Sequence, residues 1–223
     1  MVTDSGAATP TLDYYDRNAG RFTKDTADVE FTQIQDLFLG YLAPGARILD
    51  LGCGSGRDSR YFLSKGFEVE ACDGSAEMVK IASETAGIPV RRMLFEELSE
   101  VERYDGIFAC ASLLHVPYAQ LGDILAKVER AMKDNGILYV SFKYGTFEGE
   151  RNGRYFTDMT MERLRERLKA AAEMSGGGEL QVVESRITGD VRPGRESEKW
   201  LNVILRKAAE ERCQRRERLT TQR

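Results

Sequence analysis

Between residues 47 and 143 short apolar runs alternate with amphipathic ones, and this rhythm restricts the chain to one fold class. RILDL (47–51), FEVEAC (67–72), VRRMLF (90–95), YDGIFACA (104–111) and ILYVSFK (137–143) are strand-like. Helical patterns separate most of them: RDSRYFLSKG (57–66), SAEMVKIASETAG (75–87), with Ser75 placed to cap it, and YAQLGDILAKVERAMK (118–133). Alternation of this kind predicts an α/β protein with a parallel sheet covered by helices on both faces and joined by right-handed crossovers.

The flanks add to this core. YYDRNAGRF, within 13–25, reads as a short helix. Phe31, Ile34, Leu37, Phe38, Tyr41 and Leu42 recur at helical spacing until Pro44-Gly45 ends the run. After Lys143 a glycine-rich loop (144–157) leads to a helix over 158–174 and a linker at 175–178. Two last strands, 180–188 and 198–206, turn at Pro193-Gly194 and are expected to pair antiparallel at the sheet edge. Residues 1–11 are expected to be disordered, 12–206 to form one domain, and 207–223 to be a charged tail.

Composition excludes several classes. With 42% hydrophobic and 30% charged residues the chain reads as globular, and its longest apolar runs are far below the ~20 residues of a membrane helix. MVTDSGAATP has neither the basic nor the apolar region of a signal peptide. A net charge of -4 argues against nucleic acid as a partner. Cys53, Cys72, Cys110 and Cys213 form no CxxC pair, and His115 is the sole histidine, so no metal site is expected and a reducing cytoplasm is.

The chemistry concentrates in ILDLGCGSGRDS (48–59). A dinucleotide fingerprint places its third glycine where Arg57 stands, and a phosphate loop needs a GK[ST] sequence that is absent. Asp50, just ahead of Gly52, Gly54 and Gly56, would repel a pyrophosphate and attract a cation such as an amino-acid ammonium group. Asp73, about twenty residues on at the tip of the next strand, is where nucleoside-binding sheets hold ribose hydroxyls. An ammonium group, a ribose and no phosphate between them describe S-adenosylmethionine.

ILDLGCGSGRDS, EACDGS, YDGIFACASLLHVP and WLNVIL together resemble the class I S-adenosylmethionine-dependent methyltransferases, over roughly residues 12–206. The similarity is to small single-domain members such as the ubiquinone-biosynthesis and tellurite-resistance methyltransferases. It implies a Rossmann-like, seven-stranded, mostly parallel sheet with an antiparallel last strand, and a cofactor lying over the carboxyl ends of the first strands. By the same resemblance Asp50, Gly52 and Gly54 hold the methionine part, Asp73 the ribose, and Met78 flanks the adenine. Phe95 packs the ring or Glu96 reads it. Tyr15, Cys53, Arg57, Gly74 and Ala109 are further cofactor contacts, and Tyr14 and Tyr15 lie in a segment that folds over the cofactor as a lid in related enzymes.

His115 follows the fourth strand on the ligand side of the sheet and is the candidate catalytic base; the competing reading is a turn histidine satisfied by backbone. Cys110 lacks the preceding proline of cytosine methyltransferases, and the Asp/Asn-Pro-Pro-aromatic motif of adenine amino methyltransferases is missing. Arg154, Arg192 and Arg195 occupy late loops, where guanidinium groups can hold a carboxylate or phosphate. The expected partner is a small-molecule acceptor, anionic if those arginines face it, with the chain a monomer or homodimer. The alternatives are an RNA or protein methyltransferase, or a module that binds the cofactor without chemistry.

Overall fold

The computed structural model describes residues 8–27, 29–175, 178–192, 194–195 and 197–209; Cys213 and the tail from 210 onward lie outside them. Two helices, α1 (Ala8–Ala27) and α2 (Thr32–Leu39), precede the sheet. The alternating core follows as β1 (Arg47–Leu51), α3 (Arg57–Ser64), β2 (Glu68–Asp73), α4 (Ala76–Ala86), β3 (Val90–Arg92), β4 (Tyr104–Ala109), α5 (Leu121–Ala131) and β5 (Met132–Lys143). A hairpin, β6 (Glu148–Arg151) and β7 (Arg154–Thr157), leads to α6 (Met161–Met174), β8 (Leu180–Gly189) and β9 (Lys199–Lys207).

The seven-stranded sheet has the order β3-β2-β1-β4-β5-β9-β8. β1 to β5 run parallel, and β9 runs antiparallel between β5 and β8, which forms the edge. The Rossmann-like sheet and its antiparallel last strand are as the sequence implies.

Strand alternation sends the two sides of each strand to different layers. Leu49, Leu51, Ile107, Leu138 and Val140 pack with Leu125 and Val128 of α5 and Leu164 and Leu168 of α6. Ile48, Phe108 and Tyr139 face the opposite way, onto Phe38 of α2 and Phe62 of α3. Phe108 and Tyr139 stack with ring centroids 4.5 Å apart, and Phe62 meets Phe108 edge-on at 5.0 Å. Truncating Phe62 would cost about 3–5 kcal/mol through lost burial and the cavity left behind. Helix α3 can approach α4 this closely because Gly56 precedes it: a Cβ there would lie 2.8 Å from the Ala82 carbonyl oxygen.

The structure corrects several expected boundaries. α1 begins at Ala8, inside the segment expected to be disordered, and Thr11 is buried. The expected loop over 144–157 contains the β6–β7 hairpin, whose turn residues Asn152 and Gly153 both adopt the left-handed conformation at φ 51° and 76°. That pair of conformations matches the twist of a two-residue hairpin, and Asn-Gly supplies it at low cost. The third strand stops at Arg92, short of Phe95, because a 3₁₀ turn over Phe95–Glu97 follows. β9 extends through Lys207, one residue past the expected end of the domain.

Candidate functional site

A cavity of about 1170 Å³ opens over the carboxyl ends of the parallel strands. Its floor is the loop after β1, with Gly52, Cys53 and Gly54, and its flank is the tip of β2, with Asp73 and Gly74. The loop lies tight against the segment after β4: a Cβ on Gly52 would fall 2.5 Å from Cβ of Ser112. Met78, Met93, Leu94 and Phe95 line an apolar part of the cavity beside Asp73, with Glu96 at its rim. α1, the segment around His115 and the β6–β7 hairpin complete the lining.

Asp73 is the anchor of the first half. One carboxylate oxygen accepts the Gly54 N–H and the other the Ser75 N–H, both at 2.9 Å. Burial pushes its pKa up to about 6, against the pull of those two N–H groups. Asp16 of α1 adds negative charge nearby and accepts the Ser75 hydroxyl at 2.5 Å, tying α1 across the start of α4. Nothing in the spacing of the sequence marks Asp16, since the contact spans 59 residues.

Asp50 faces elsewhere. It lies on the same side of β1 as Ile48, and period two turns that side toward α3. There its carboxylate accepts the Ser59 hydroxyl at 2.6 Å, and only 2% of the residue is exposed. Burial and the neighbouring Asp58 carboxylate raise its pKa. The residue expected to meet a cationic ligand directly therefore does not line the cavity; it ties the end of β1 to α3 through Ser59. Ala109 is also absent from the wall, being fully buried in β4, while Cys110 and Ala111 just beyond it are exposed to the cavity.

Arg57 lines the cavity with its charge already matched, in a two-pronged ion pair with Asp58 at 2.9–3.0 Å, while Gln35 donates to the same carboxylate at 2.6 Å. The guanidinium also sits 4.6 Å over the Phe31 ring, fixing the α2 entrance to the start of α3. Burial first, and then Asp58, push the Cys110 thiol up to about 12, which disfavours its thiolate.

The second half of the cavity is built around His115. Its Nδ1 is 2.6 Å from the Tyr155 carbonyl oxygen, which can only accept, so Nδ1 carries the proton. Nε2 of the neutral ring is then an acceptor, and the Tyr15 hydroxyl donates to it at 2.9 Å. Burial holds the His115 pKa down at about 4, and the Arg154 cation adds to the effect. Tyr15, also raised by burial, packs edge-on against Phe22 and His115. Sequence reading named both residues but gave no sign that they touch.

Residues 48–136 match the family of methyltransferase domains. The chain is similar to the ubiquinone biosynthesis O-methyltransferase of Rhodopseudomonas palustris (strain HaA2), with 33% identity over 102 residues, 44% of this chain and 40% of that one. The chain thus spans about two fifths of that relative's length. An S-adenosyl-L-methionine-dependent Diels-Alderase, iccD of Talaromyces variabilis, is 27% identical over 67% of this chain and 52% of its own. In fold, the chain is similar to the 1,6-didemethyltoxoflavin-N1-methyltransferase of Burkholderia thailandensis, a structure with bound 1,6-didemethyltoxoflavin and S-adenosylhomocysteine. The TM-score is 0.72 at 22% identity, over 93% of this chain and 92% of that one.

Proposed function

We propose that this chain transfers a methyl group from S-adenosylmethionine to a small-molecule acceptor. One observation carries the reading: a single cavity joins a ribose-type acid and a bare glycine loop to a separate polar group built on Tyr15 and His115. Its volume exceeds the ~300–1,000 Å³ usual for one small ligand, which suits a cofactor and an acceptor side by side.

The residues present fit that cofactor. Asp73 keeps carboxylate lone pairs for two ribose hydroxyls after accepting its backbone N–H groups. Gly52 and Gly54 leave the loop without side chains for the methionine part, and Met78, Met93 and Phe95 offer apolar faces for the adenine. Glu96, in the same cavity wall, is the alternative adenine contact, as an acceptor for its amino group. Asp50 supports this cradle through Ser59.

When bound, S-adenosylmethionine would supply an electrophilic methyl group to an acceptor lone pair. The chain's own task is alignment and exclusion of water. Alignment is worth about 7–11 kcal/mol in favourable cases, whereas a general base adds about 10²–10⁴-fold. His115 remains the candidate base, acting through Tyr15: an acceptor proton passes to the Tyr15 oxygen as the phenolic proton moves to Nε2. The cover formed by α1 and the hairpin favours an acceptor small enough to enter. Cys53, Cys72 and Cys110 are free thiols, which agrees with a cytoplasmic setting, and among the described residues no helix is long and apolar enough to cross a membrane.

The test is calorimetry with S-adenosylhomocysteine, followed by incubation of methyl-labelled S-adenosylmethionine with a fractionated metabolite extract. Micromolar binding and label in a small-molecule fraction are expected. Binding without label in any fraction would overturn the transfer reading, and label only in RNA or protein would move it to another acceptor class.

A further inference from the structure

Six basic side chains reach the cavity wall, and five of them are ion-paired, two of these sharing one carboxylate. Arg57 pairs with Asp58, Arg151 with Asp158, Arg192 with Asp190, and Lys143 and Arg195 with Glu198. Arg154 differs: among the described residues no carboxylate forms an ion pair with it, and its Nε is shielded from solvent with no hydrogen-bond partner. A buried donor left in this state costs about 1–3 kcal/mol, more for a charged group.

The surroundings hold this cation in place without cancelling it. Its guanidinium carbon lies 4.5 Å from the Tyr14 ring centre, 5.1 Å from Phe156 and 5.7 Å from Tyr15. Aromatic faces attract a cation but supply no counter-charge. Across the hairpin its partner is Arg151, a like charge, and Arg151 takes the nearby carboxylate. The contact nearest to chemistry is Nη1 to the Tyr15 oxygen at 3.5 Å, next to the hydroxyl that donates to His115. None of these neighbours belongs to the glycine loop or to the tip of β2.

We propose that Arg154 is the docking point for an oxyanion of the acceptor, a carboxylate or an ionised acidic hydroxyl, held beside Tyr15. This rests on the methyltransferase reading above and names the acceptor class for it. A planar guanidinium with an unpartnered Nε, and with only Nη1 engaged by Tyr15, keeps donors that match a carboxylate edge in two-point fashion. The other oxyanion that could claim Arg154 is the methionine carboxylate of the cofactor, and the experiment separates the two.

Titrate the protein calorimetrically with S-adenosylhomocysteine. Then titrate the saturated complex with benzoate, salicylate, anthranilate and malonate, and with the amide of each. Repeat the series with Arg154→Gln and Arg154→Lys. Expected are unchanged S-adenosylhomocysteine affinity in all three proteins and at least one carboxylate binding more tightly than its amide. That preference should fall about ten- to hundredfold in Arg154→Gln and return in part in Arg154→Lys. Three outcomes overturn the proposal: no carboxylate preferred over its amide, a preference that survives Arg154→Gln, or a loss of S-adenosylhomocysteine affinity in Arg154→Gln, which would assign the residue to the cofactor. Failure of the wild-type protein to bind S-adenosylhomocysteine is a different failure, since it removes the methyltransferase reading and this proposal with it.

Discussion

The Tyr15 hydroxyl donates to Nε2 of His115 at 2.9 Å, joining α1 to the segment after β4 across 100 residues of chain. The Tyr155 carbonyl fixes the other ring nitrogen, so one tautomer is held from two sides by two different elements.

That arrangement is directly observable because His115 is the sole histidine of the chain. Ring resonances in a tag-free sample should report the Nδ1-protonated tautomer and a pKa near 4. Tyr15→Phe removes the donor that favours the neutral ring, so its pKa should rise toward the ordinary value of 6.5. An Nε2-protonated ring, or a pKa that ignores Tyr15→Phe, would disprove the pairing.

The same group ties stability to pH. Folded His115 titrates at about 4 against 6.5 when free, so between those values the unfolded chain binds a proton that the folded chain refuses. Its contribution is complete above pH 6.5 and is lost as pH falls toward 4, a gap of at most roughly 3 kcal/mol. Asp73, raised from 3.8 to about 6, works in the opposite direction over much of that window, because its folded form takes up the proton first. The measurement is therefore a difference: urea stability of wild type minus that of His115→Gln, at pH 4 and at pH 7. It should be larger at pH 7 by about 1–3 kcal/mol, and a flat difference would contradict the burial of a neutral ring.

The two acids of the cofactor half should respond unequally. Asp73→Asn places an amide NH₂ against the Gly54 or Ser75 N–H and removes an acceptor of charge-assisted bonds, each worth about 1.5–3 kcal/mol. S-adenosylhomocysteine affinity should fall at least tenfold. Asp50→Asn keeps an oxygen for the Ser59 hydroxyl in a place where burial already disfavours the charge, so its loss should be at least several-fold smaller. Calorimetry on the two variants decides it; an equal or larger loss for Asp50→Asn would show that the Asp50 charge reaches the ligand.

These residues mark how far sequence could lead. The sheet was legible because five apolar runs carry their period locally, and the glycine loop because its bare backbone is written in consecutive letters. The direction of Asp50 was also available in principle: it shares parity with Ile48, whose side of β1 packs on α3. The β6–β7 hairpin carried an Asn-Gly signal at 152–153 that flanking charges obscured. By contrast, the pairing of Tyr15 with His115, the bracing of Ser75 by Asp16 and the solitary state of Arg154 depend on contacts tens to more than a hundred residues apart, for which no local pattern exists.

Lys207, the last residue of β9, offers a final case. It was expected to open a charged tail, yet it is only 5% exposed, and its ammonium group reaches the Glu129 carboxylate at 2.9 Å and the carbonyl oxygens of Glu129 and Met132 at 3.0 and 3.1 Å. All three of its donors are used, and the bond fastens β9 to the end of α5. Removing one partner of such a pair strands the other charge away from water, which typically costs 3–5 kcal/mol, whereas replacing both by apolar groups is often close to neutral. Lys207→Met should therefore lower urea stability by about 3–5 kcal/mol, and the double variant with Glu129→Leu should recover most of that loss. If Lys207→Met costs less than about 1 kcal/mol, Lys207 belongs to the solvated tail after all and the domain ends at residue 206.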